Sequence, residues 1–340
     1  RGMKAVYMEK PGGIEIRDIS QRQPGRDEAL LKIYAAGICG SDIGAFRGTN
    51  VLVSYPRVIG HELAGEIISI PENSKGLKAG DRVVVDPYLY CGTCYPCSIG
   101  RTNCCTSLRV LGVHVEGGMS ETFAHDKEML HLVPGDIPWE LVPMAEPLSI
   151  ALHGLHRLEV KAGEHLAIFG AGPIGLLAAM AAMHYGAEPI VTDIVEDRLA
   201  FARGLGVRHT VNLLREDPVK AVADITKGRL AECVMEASGA NAAILSAMDV
   251  VSHAGRIALT GWPKEPTLIP TDRITRKEID IRGARTSAGE FGEAVSLIQT
   301  GRVDVRKILS KVITLDEVPD TIRDIDKNPG AYLKVNVLIG

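Results

Sequence analysis

Residues 165–193 read HLAIFGAGPIGLLAAMAAMHYGAEPIVTD. A short β-type run, 165–169, leads into the turn GAGPIG, and a Leu, Ala and Met run follows. This order predicts a strand, a tight turn, a helix and a second strand that ends at Asp193. Residues 166–183 carry no charge, a length that reaches the lower limit for a membrane span. Three glycines and a proline interrupt that run, so strand-turn-helix is the better interpretation.

The turn has the glycine spacing G-x-G-x-x-G of dinucleotide-binding proteins. Gly170 makes the tight turn, Gly172 lets backbone approach a pyrophosphate, and Gly175 lets the helix pack on the strand. Pro173 and Ile174 open the helix, whose N-terminus faces the anion. A glycine turn that serves packing alone is the alternative.

Asp193 lies about 20 residues beyond the turn, where a carboxylate accepts hydrogen bonds from the adenosine ribose and repels a 2′-phosphate. It therefore predicts NAD rather than NADP as the cofactor. Arg198 could screen a phosphate, but beside Asp193 we favour a role at the adenine edge. Ser238 and Gly261 are further candidates for cofactor binding.

The pattern of predicted secondary structure changes at about residue 161. Before it, short β-type runs occur at 4–8, 28–35, 65–70 and 81–85; after it, candidate strands at 189–192, 232–236, 256–259 and 279–282 alternate with helices. This alternation predicts a parallel sheet covered on both faces. We expect an α/β protein: a β-rich domain over 3–150, completed by 288–340, and a doubly wound parallel-sheet domain over 151–287. Helix 291–299 and strand 332–339 belong to the returning segment.

Charge and composition narrow the partners. The 340 residues include 38 Lys and Arg against 42 Asp and Glu, a net charge of −4. Such a balance gives no broad positive field, so nucleic acid and anionic membranes are not expected as partners, whereas a small molecule is. No charged-then-apolar leader follows Met3, so we expect a cytoplasmic protein.

Most of the seven cysteines cluster between residues 91 and 105. Reduced cytoplasmic thiols make disulfides a poor explanation. Cysteines at positions 91, 94, 97 and 105 have the spacing of a four-thiolate site with no open position, which predicts a structural zinc. An iron-sulfur cluster and buried thiols without metal are the alternatives. Cys104 is not expected to be a zinc ligand. Because it is adjacent to Cys105, the assignment between these two cysteines is the weakest of the four ligand assignments.

Three more stretches, GICGSD at 37–42, GHE at 60–62 and AEP at 145–147, carry plausible ligands. With the cysteine cluster and the glycine turn, they occur in the order found in the zinc-containing medium-chain dehydrogenase/reductase family, which this chain resembles over essentially its whole length. The resemblance implies a GroES-like β domain and a Rossmann NAD-binding domain. It also implies a second, catalytic zinc on Cys39, His61 and Glu146, as in the sorbitol-dehydrogenase-like branch, with Glu62 beside the metal and able to enter its coordination.

The activity implied is a zinc-dependent transfer of hydride from a secondary alcohol to NAD⁺. Ser41 matches the family's hydroxyl that hydrogen-bonds the substrate oxygen and passes its proton on. Many relatives carry a histidine near the position of Gly44, where it ends the relay. Here water, His114 or Glu62 could take that place, and His114 could equally face the substrate or be a loop histidine.

Segments 55–61, 94–100 and 110–114 look most like the bacterial group that contains L-galactonate dehydrogenase and the starvation-sensing zinc dehydrogenase, which suggests a sugar acid or polyol substrate. Arg285 could meet a substrate carboxylate or contact the cofactor. The alternatives are a dehydrogenase of an amino alcohol such as threonine, an NAD-binding regulatory protein, a zinc-ribbon module and a zinc-free quinone reductase. Relatives are dimers or tetramers, so we expect a homodimer or homotetramer formed through edge strands, with 256–259 and 279–282 as candidates.

Overall fold

The computed structural model describes residues 2–340. The chain divides into two compact units. The first comprises the chain up to Glu146 together with Phe291–Gly340, and the second is Pro147–Glu290. Within residues 2–340, every helix is too short or too polar to cross a bilayer.

The first unit is built mostly from strands. Up to Glu146 its elements are β1 (Gly2–Lys10), β2 (Gly13–Ser20), β3 (Glu28–Ile38), α1 (Gly40–Arg47), β4 (Arg57–Val58), β5 (Glu62–Ser69), β6 (Arg82–Val85), β7 (Tyr88–Leu89), α2 (Tyr95–Ser98), β8 (Arg109–Val110), β9 (Thr122–Asp126) and β10 (Leu130–Leu132).

The second unit alternates helices and strands, after which the chain returns to the first. The elements in order are α3 (Ala145–Leu158), β11 (His165–Phe169), α4 (Pro173–His184), β12 (Glu188–Asp193), α5 (Glu196–Gly204), β13 (His209–Asn212), α6 (Pro218–Ile225), β14 (Ala231–Glu236), α7 (Asn241–Val250), β15 (Val251–Leu259), α8 (Thr271–Lys277), β16 (Asp280–Gly283), α9 (Phe291–Gln299), β17 (Leu309–Thr314), α10 (Val318–Lys327) and β18 (Lys334–Leu338).

Strand β3 is central to the first unit. Its residues alternate, so that Leu31 and Ile33 are buried while Lys32 between them is exposed. The sheet order is β10-β6-β5-β3-β18-β17, with β9 also paired to β3. Strand β18 runs antiparallel to β3, with Val335 opposite Ile38. The returning segment therefore supplies a strand beside the carboxyl end of β3, where Cys39 follows.

The second unit holds a six-stranded parallel sheet in the order β13-β12-β11-β14-β15-β16. This confirms the predicted doubly wound sheet. Residues 166–169 of β11 are wholly buried, as expected for a central parallel strand with both faces covered. The strand order reverses between β11 and β14, and such switch points form a crevice at the carboxyl ends of the strands where ligands bind.

One expectation about this sheet is wrong. Residues 256–259 do not form an edge, because β15 is hydrogen-bonded to β14 on one side and to β16 on the other. The backbone groups of an interior strand are used by its neighbours, so they cannot pair with a second chain. Only the other candidate, 279–282, coincides with an edge strand, β16.

A buried hydrogen bond ties α3 to the last residue of the second unit. His153 Nδ1 lies 2.5 Å from Glu290 Oε1, and the backbone N–H of Ala288 donates to Glu290 Oε2 at 2.6 Å. Burial would raise the pKa of Glu290, but hydrogen bonds from His153 and His156 outweigh it and lower the pKa to about 2. The ionised carboxyl is therefore the form that stabilises the fold.

We predict that Glu290→Gln lowers the free energy of unfolding at pH 7 by about 1–3 kcal/mol, because a charged hydrogen-bonded group is lost. The folded-state pKa lies below the ordinary value, so this stabilisation exists at neutral pH and is lost as the pH falls from about 4.5 towards about 2. Urea unfolding of both proteins between pH 7 and pH 3 checks this. The exposed-residue variant Glu265→Gln is the control, and a gap that does not narrow below about pH 4.5 would contradict the prediction.

Candidate functional site

Three potential metal ligands meet in the interior of the first unit. Cys39 follows β3, and His61 and Glu62 lie at the start of β5, which pairs with β3 so that Glu62 is opposite Gly37. The ligand atoms of Cys39, His61 and Glu62 lie within 4.8 Å of one another. The pairing of two strands thus brings together residues from two separate sequence motifs.

Charged neighbours hold this group in place. The backbone N–H of Cys39 donates to Asp42 Oδ2 at 2.9 Å. Lys334 Nζ pairs with Glu62 Oε2 and donates to the carbonyl of Ile38 at 2.9 Å. Burial lowers the pKa of His61, but the negative charges around it, first that of Cys39, outweigh burial and raise the pKa well above its ordinary value. The surroundings of the imidazole are therefore strongly negative.

Glu146 lies outside this group of three. It occupies the first turn of α3, is buried, and accepts a hydrogen bond from the hydroxyl of Tyr88. Burial, and then the nearby charge of Glu62, raise the pKa of Glu146 to about 7. The charge of Glu146 acts on the pKa of His61, so Glu146 is a neighbour of this group, and its place as the third ligand, which the family resemblance implies, stays a prediction.

Several polar atoms at the site have no partner. Ser41 Oγ, His61 Nδ1 and Glu62 Oε1 are buried without a hydrogen bond anywhere in residues 2–340. Buried polar atoms are nearly always satisfied in native proteins, so three in one place point to a bound group. A thiol, an imidazole and a carboxylate are the ligands that zinc accepts in catalytic sites, where one position stays open. The residues present therefore fit a metal ion.

A second group of potential ligands forms the cysteine lobe, which we define as residues 91–105. The sulfurs of Cys91, Cys94, Cys97 and Cys105 lie within 4.8 Å of one another, and that of Cys104 is not among them. Backbone N–H groups of Thr93 and Cys94 donate to Cys91 Sγ at 3.4 Å, and those hydrogen bonds, first that of Thr93, lower the pKa of Cys91 to about 5. Four converging sulfurs, one of them favoured as a thiolate, suit a tetrahedral cation.

The glycine turn of the second unit joins β11 to α4. Gly170 has a φ of +108°, which favours glycine. A Cβ on Gly172, the N-cap of α4, would meet nothing within 4 Å, so space is open beside the helix N-terminus. Pro173 occupies the first turn of α4, where its missing N–H costs nothing. A Cβ on Gly175 would collide with the Gly170 carbonyl, so glycine is required for this packing.

Asp193 ends β12 beside this turn. Its Oδ2 accepts a hydrogen bond from Ala171 N and its Oδ1 one from Val195 N, both at 2.8 Å. Arg198 is half-buried; burial lowers its pKa and the charge of Asp193 opposes that shift. Ser238, Gly261 and Arg285 follow the carboxyl ends of β14, β15 and β16. These three residues, Asp193 and the glycine turn therefore all lie at or just after the carboxyl ends of strands of one sheet, whereas Arg198 lies in α5.

His114, a candidate for the proton relay, and Gly44, the position where many relatives carry a histidine, differ in their surroundings. The half-buried ring of His114 accepts a hydrogen bond from Val110 N at 2.9 Å, within its own loop. Gly44 lies in α1, where a Cβ would meet Asn50 Cβ at 3.4 Å and Thr49 Oγ1 at 3.6 Å. These are ordinary contacts, so a side chain at this position has room and its absence is not forced by packing.

Sequence reasoning missed Asp42, Tyr88 and Lys334. Asp42 stands three residues after Cys39 in a capping-type spacing, which was a readable signal. Lys334 is a lone charge in the otherwise uncharged stretch 332–340, and a charge in a buried strand needs a partner. Tyr88 gave no signal, because only the fold brings it to Glu146.

Comparison with known proteins identifies two families. Residues 25–135 match the alcohol dehydrogenase GroES-like domain family. Residues 173–300 match the zinc-binding dehydrogenase family. Together these ranges cover more than half of the chain.

Relatives match over the full length. An uncharacterized zinc-type alcohol dehydrogenase-like protein of Haemophilus influenzae is 51% identical over 337 residues, covering 99% of this chain and 98% of that protein. Sorbitol dehydrogenase of Bacillus subtilis is 32% identical and covers 99% and 97%. Among solved structures, the short chain alcohol dehydrogenase RspB of Escherichia coli, complexed with NADH, has a TM-score of 0.93 at 32% identity and covers 99% of each chain.

We predict that Cys97→Ser lowers the zinc content by about one ion per chain, because three thiolates and a hydroxyl bind zinc far more weakly than four thiolates. Its melting temperature should also fall, since a structural zinc contributes folding energy. Elemental analysis of the dialysed protein checks this. Cys104→Ser is the matched control and should keep the wild-type content; an equal loss in both variants would contradict the assignment of the four ligands.

Proposed function

The chain belongs to the zinc-type alcohol dehydrogenase family of medium-chain dehydrogenases/reductases, and from this premise we propose that it oxidises a secondary alcohol of a polyol or sugar acid with NAD⁺. The buried group of Cys39, His61 and Glu62, with its unpartnered polar atoms beside Ser41, is the observation that carries the proposal. A purely regulatory nucleotide-binding protein would have no use for this donor set.

We propose that Cys39 and His61 hold the catalytic zinc together with Glu146, as the family resemblance implies. Glu62 is the neighbouring carboxylate, and its Oε2 is occupied by Lys334. Only Oε1 of Glu62 is then left to approach a metal ion, which favours a secondary role in coordination. A zinc ion bound here would supply Lewis-acid chemistry that lowers the pKa of a substrate hydroxyl.

The chain's own residues position and move the proton. Ser41 Oγ is buried and has no partner within residues 2–340, so it is available to accept the substrate hydroxyl proton and pass it on. Asp42 fixes the backbone of Cys39, and Lys334 balances the charge of Glu62. Because Gly44 offers no acid-base group, water, His114 or Glu62 has to complete the route to solvent.

The cofactor proposed is NAD rather than NADP. The carboxylate of Asp193 is fixed by two backbone N–H groups at the turn, where it suits a ribose diol and repels a 2′-phosphate. Arg198, close to this carboxylate, would lie at the adenine edge. A bound NAD⁺ would supply the hydride acceptor, and the residues of this crevice would orient it.

The substrate class rests on the relatives and on Arg285. Sorbitol dehydrogenase, one relative, is named for a polyol. Arg285, after the carboxyl end of β16, would add a bidentate partner for a carboxylate if the substrate is a sugar acid. We further propose a cytoplasmic homodimer or homotetramer in which the exposed edge of β16 pairs with a second copy.

We predict that the zinc-loaded protein reduces NAD⁺ with at least one polyol or sugar acid, measured as NADH absorbance across a panel of polyols, aldonic acids and amino alcohols. His61→Ala should lose about 10³-fold or more in kcat/KM, because the oxygen of the substrate loses its electrophile. His209→Ala, at the first residue of β13 in the second unit, is the control. Turnover of threonine alone would favour an amino-alcohol dehydrogenase, and NADH binding without any turnover would favour a regulatory protein.

We predict that Asp193→Ala narrows the preference for NADH over NADPH by about tenfold or more, because the repulsion of the 2′-phosphate is removed. Fluorescence titration of both cofactors measures this without knowledge of the substrate. Asp197→Ala, an exposed aspartate in the first turn of α5, is the matched control. An unchanged ratio of the two dissociation constants would remove Asp193 from the proposal.

A further inference from the structure

A buried carboxylate lies at the switch point of the parallel sheet. Glu236 is the last residue of β14, the strand next to β11 where the strand order reverses, and its exposure is 0%. Within residues 2–340, no cation pairs with it. A buried charge without a cation destabilises the folded protein unless hydrogen bonds satisfy it. The groups that donate hydrogen bonds to Glu236 therefore decide whether it can be buried at this crevice.

Its compensation comes from the loop that follows the strand. Glu236 Oε1 accepts hydrogen bonds from Ser238 N at 2.8 Å, Ser238 Oγ at 2.5 Å and Gly239 N at 3.0 Å, and Oε2 is 3.1 Å from Gly239 N. Ser238 Oγ in turn accepts from Ala240 N at 3.1 Å. The carboxylate therefore fixes residues 237–240 in one conformation just before α7 begins.

Three loops meet around this carboxylate. A Cβ on Gly170 would lie 3.2 Å from Ser238 N, and one on Gly261 would lie 2.7 Å from Glu236 Oε2. A Cβ on Gly239 would lie 2.6 Å from the carbonyl of Trp262. The loops after β11, β14 and β15 are thus in close backbone contact, so a shift of residues 237–240 would displace the glycine turn.

These donors also change the expected role of Ser238. Its N–H and its hydroxyl both donate to Glu236, so neither is left to donate to a cofactor phosphate. Residues 237–240 therefore form part of the crevice wall without donating hydrogen bonds to the anion. The N-terminus of α4 remains as the group that would bind the pyrophosphate.

We propose that Glu236 is a positioning residue for the dinucleotide, an inference that rests on the cofactor binding proposed above. By accepting the donors of residues 238 and 239, it holds the wall of the crevice on the β14 side against the glycine turn. Asp193 is on the other side of β11, at the end of β12. Glu236 therefore serves the half of the dinucleotide beyond the adenosine, which lies on the Asp193 side.

The test compares Glu236→Met with Glu236→Gln by isothermal titration with NADH and with AMP. The methionine removes every acceptor, and we expect the NADH dissociation constant to rise about tenfold or more. AMP, which reports only the adenosine side, should bind within about twofold of wild type. The glutamine keeps one acceptor oxygen and should restore NADH binding to within about threefold.

Glu232→Met is the matched control, because it removes a carboxylate at the opposite end of the same strand; it should leave both dissociation constants unchanged. Equal weakening of NADH and AMP by Glu236→Met, or no weakening of NADH, would overturn the inference. If that variant does not fold, Ser238→Ala replaces it, with an expected rise of about threefold for NADH alone, and no rise would overturn the inference. A wild-type chain that binds neither NADH nor NADPH would overturn the proposed function itself.

Discussion

The compensation of buried carboxylates is the constraint on which both halves of this protein depend. A carboxylate removed from water loses many kcal/mol of solvation, so it survives only with a cation or several donors around it. In the first unit, Glu62 is paired with Lys334. In the second, Glu236 is surrounded by the N–H groups and hydroxyl of its own loop. Each solution fixes a loop or strand that the proposed chemistry needs.

Local patterns were sufficient to predict the second unit. Strand β11, the glycine turn and α4 follow one another directly in residues 165–184. Each feature, from the apolar run to Pro173, has a local physical cause. Alternation of strands and helices then leaves few topologies, because crossovers between parallel strands are almost always right-handed. The sequence predicted the parallel sheet but no order of its strands, so the interior position of β15 was missed, since that position depends on the sheet as a whole.

The candidate metal site was harder because its contacts are long-range. Cys39 and His61 stand in separate motifs that only the pairing of β3 with β5 unites. Lys334 is 272 residues away from Glu62 in sequence, and its position depends on the return of the chain after Phe291. Which of the adjacent Cys104 and Cys105 turns towards the other sulfurs depends on the local backbone, and the structure brings Cys105 to the group. Motifs identify the ligand types, whereas the fold decides which side chains meet.

The two buried glutamates also show how one residue type meets opposite electrostatic demands. Around Glu62, the acidic groups and the sulfur of Cys39 outweigh the effect of burial and raise the pKa of both His61 and Lys334, so this environment favours a cation. Around Glu236, the neighbouring ligand is expected to be an anion, and a second negative charge would repel it if its field were not cancelled. The N–H dipoles that converge on Glu236 provide that cancellation over a short distance, because dipole fields fall off faster than those of charges. Neutral donors rather than a lysine are thus the better partners there, since they fix the loop without adding a cation that would compete with the helix N-terminus for the phosphates.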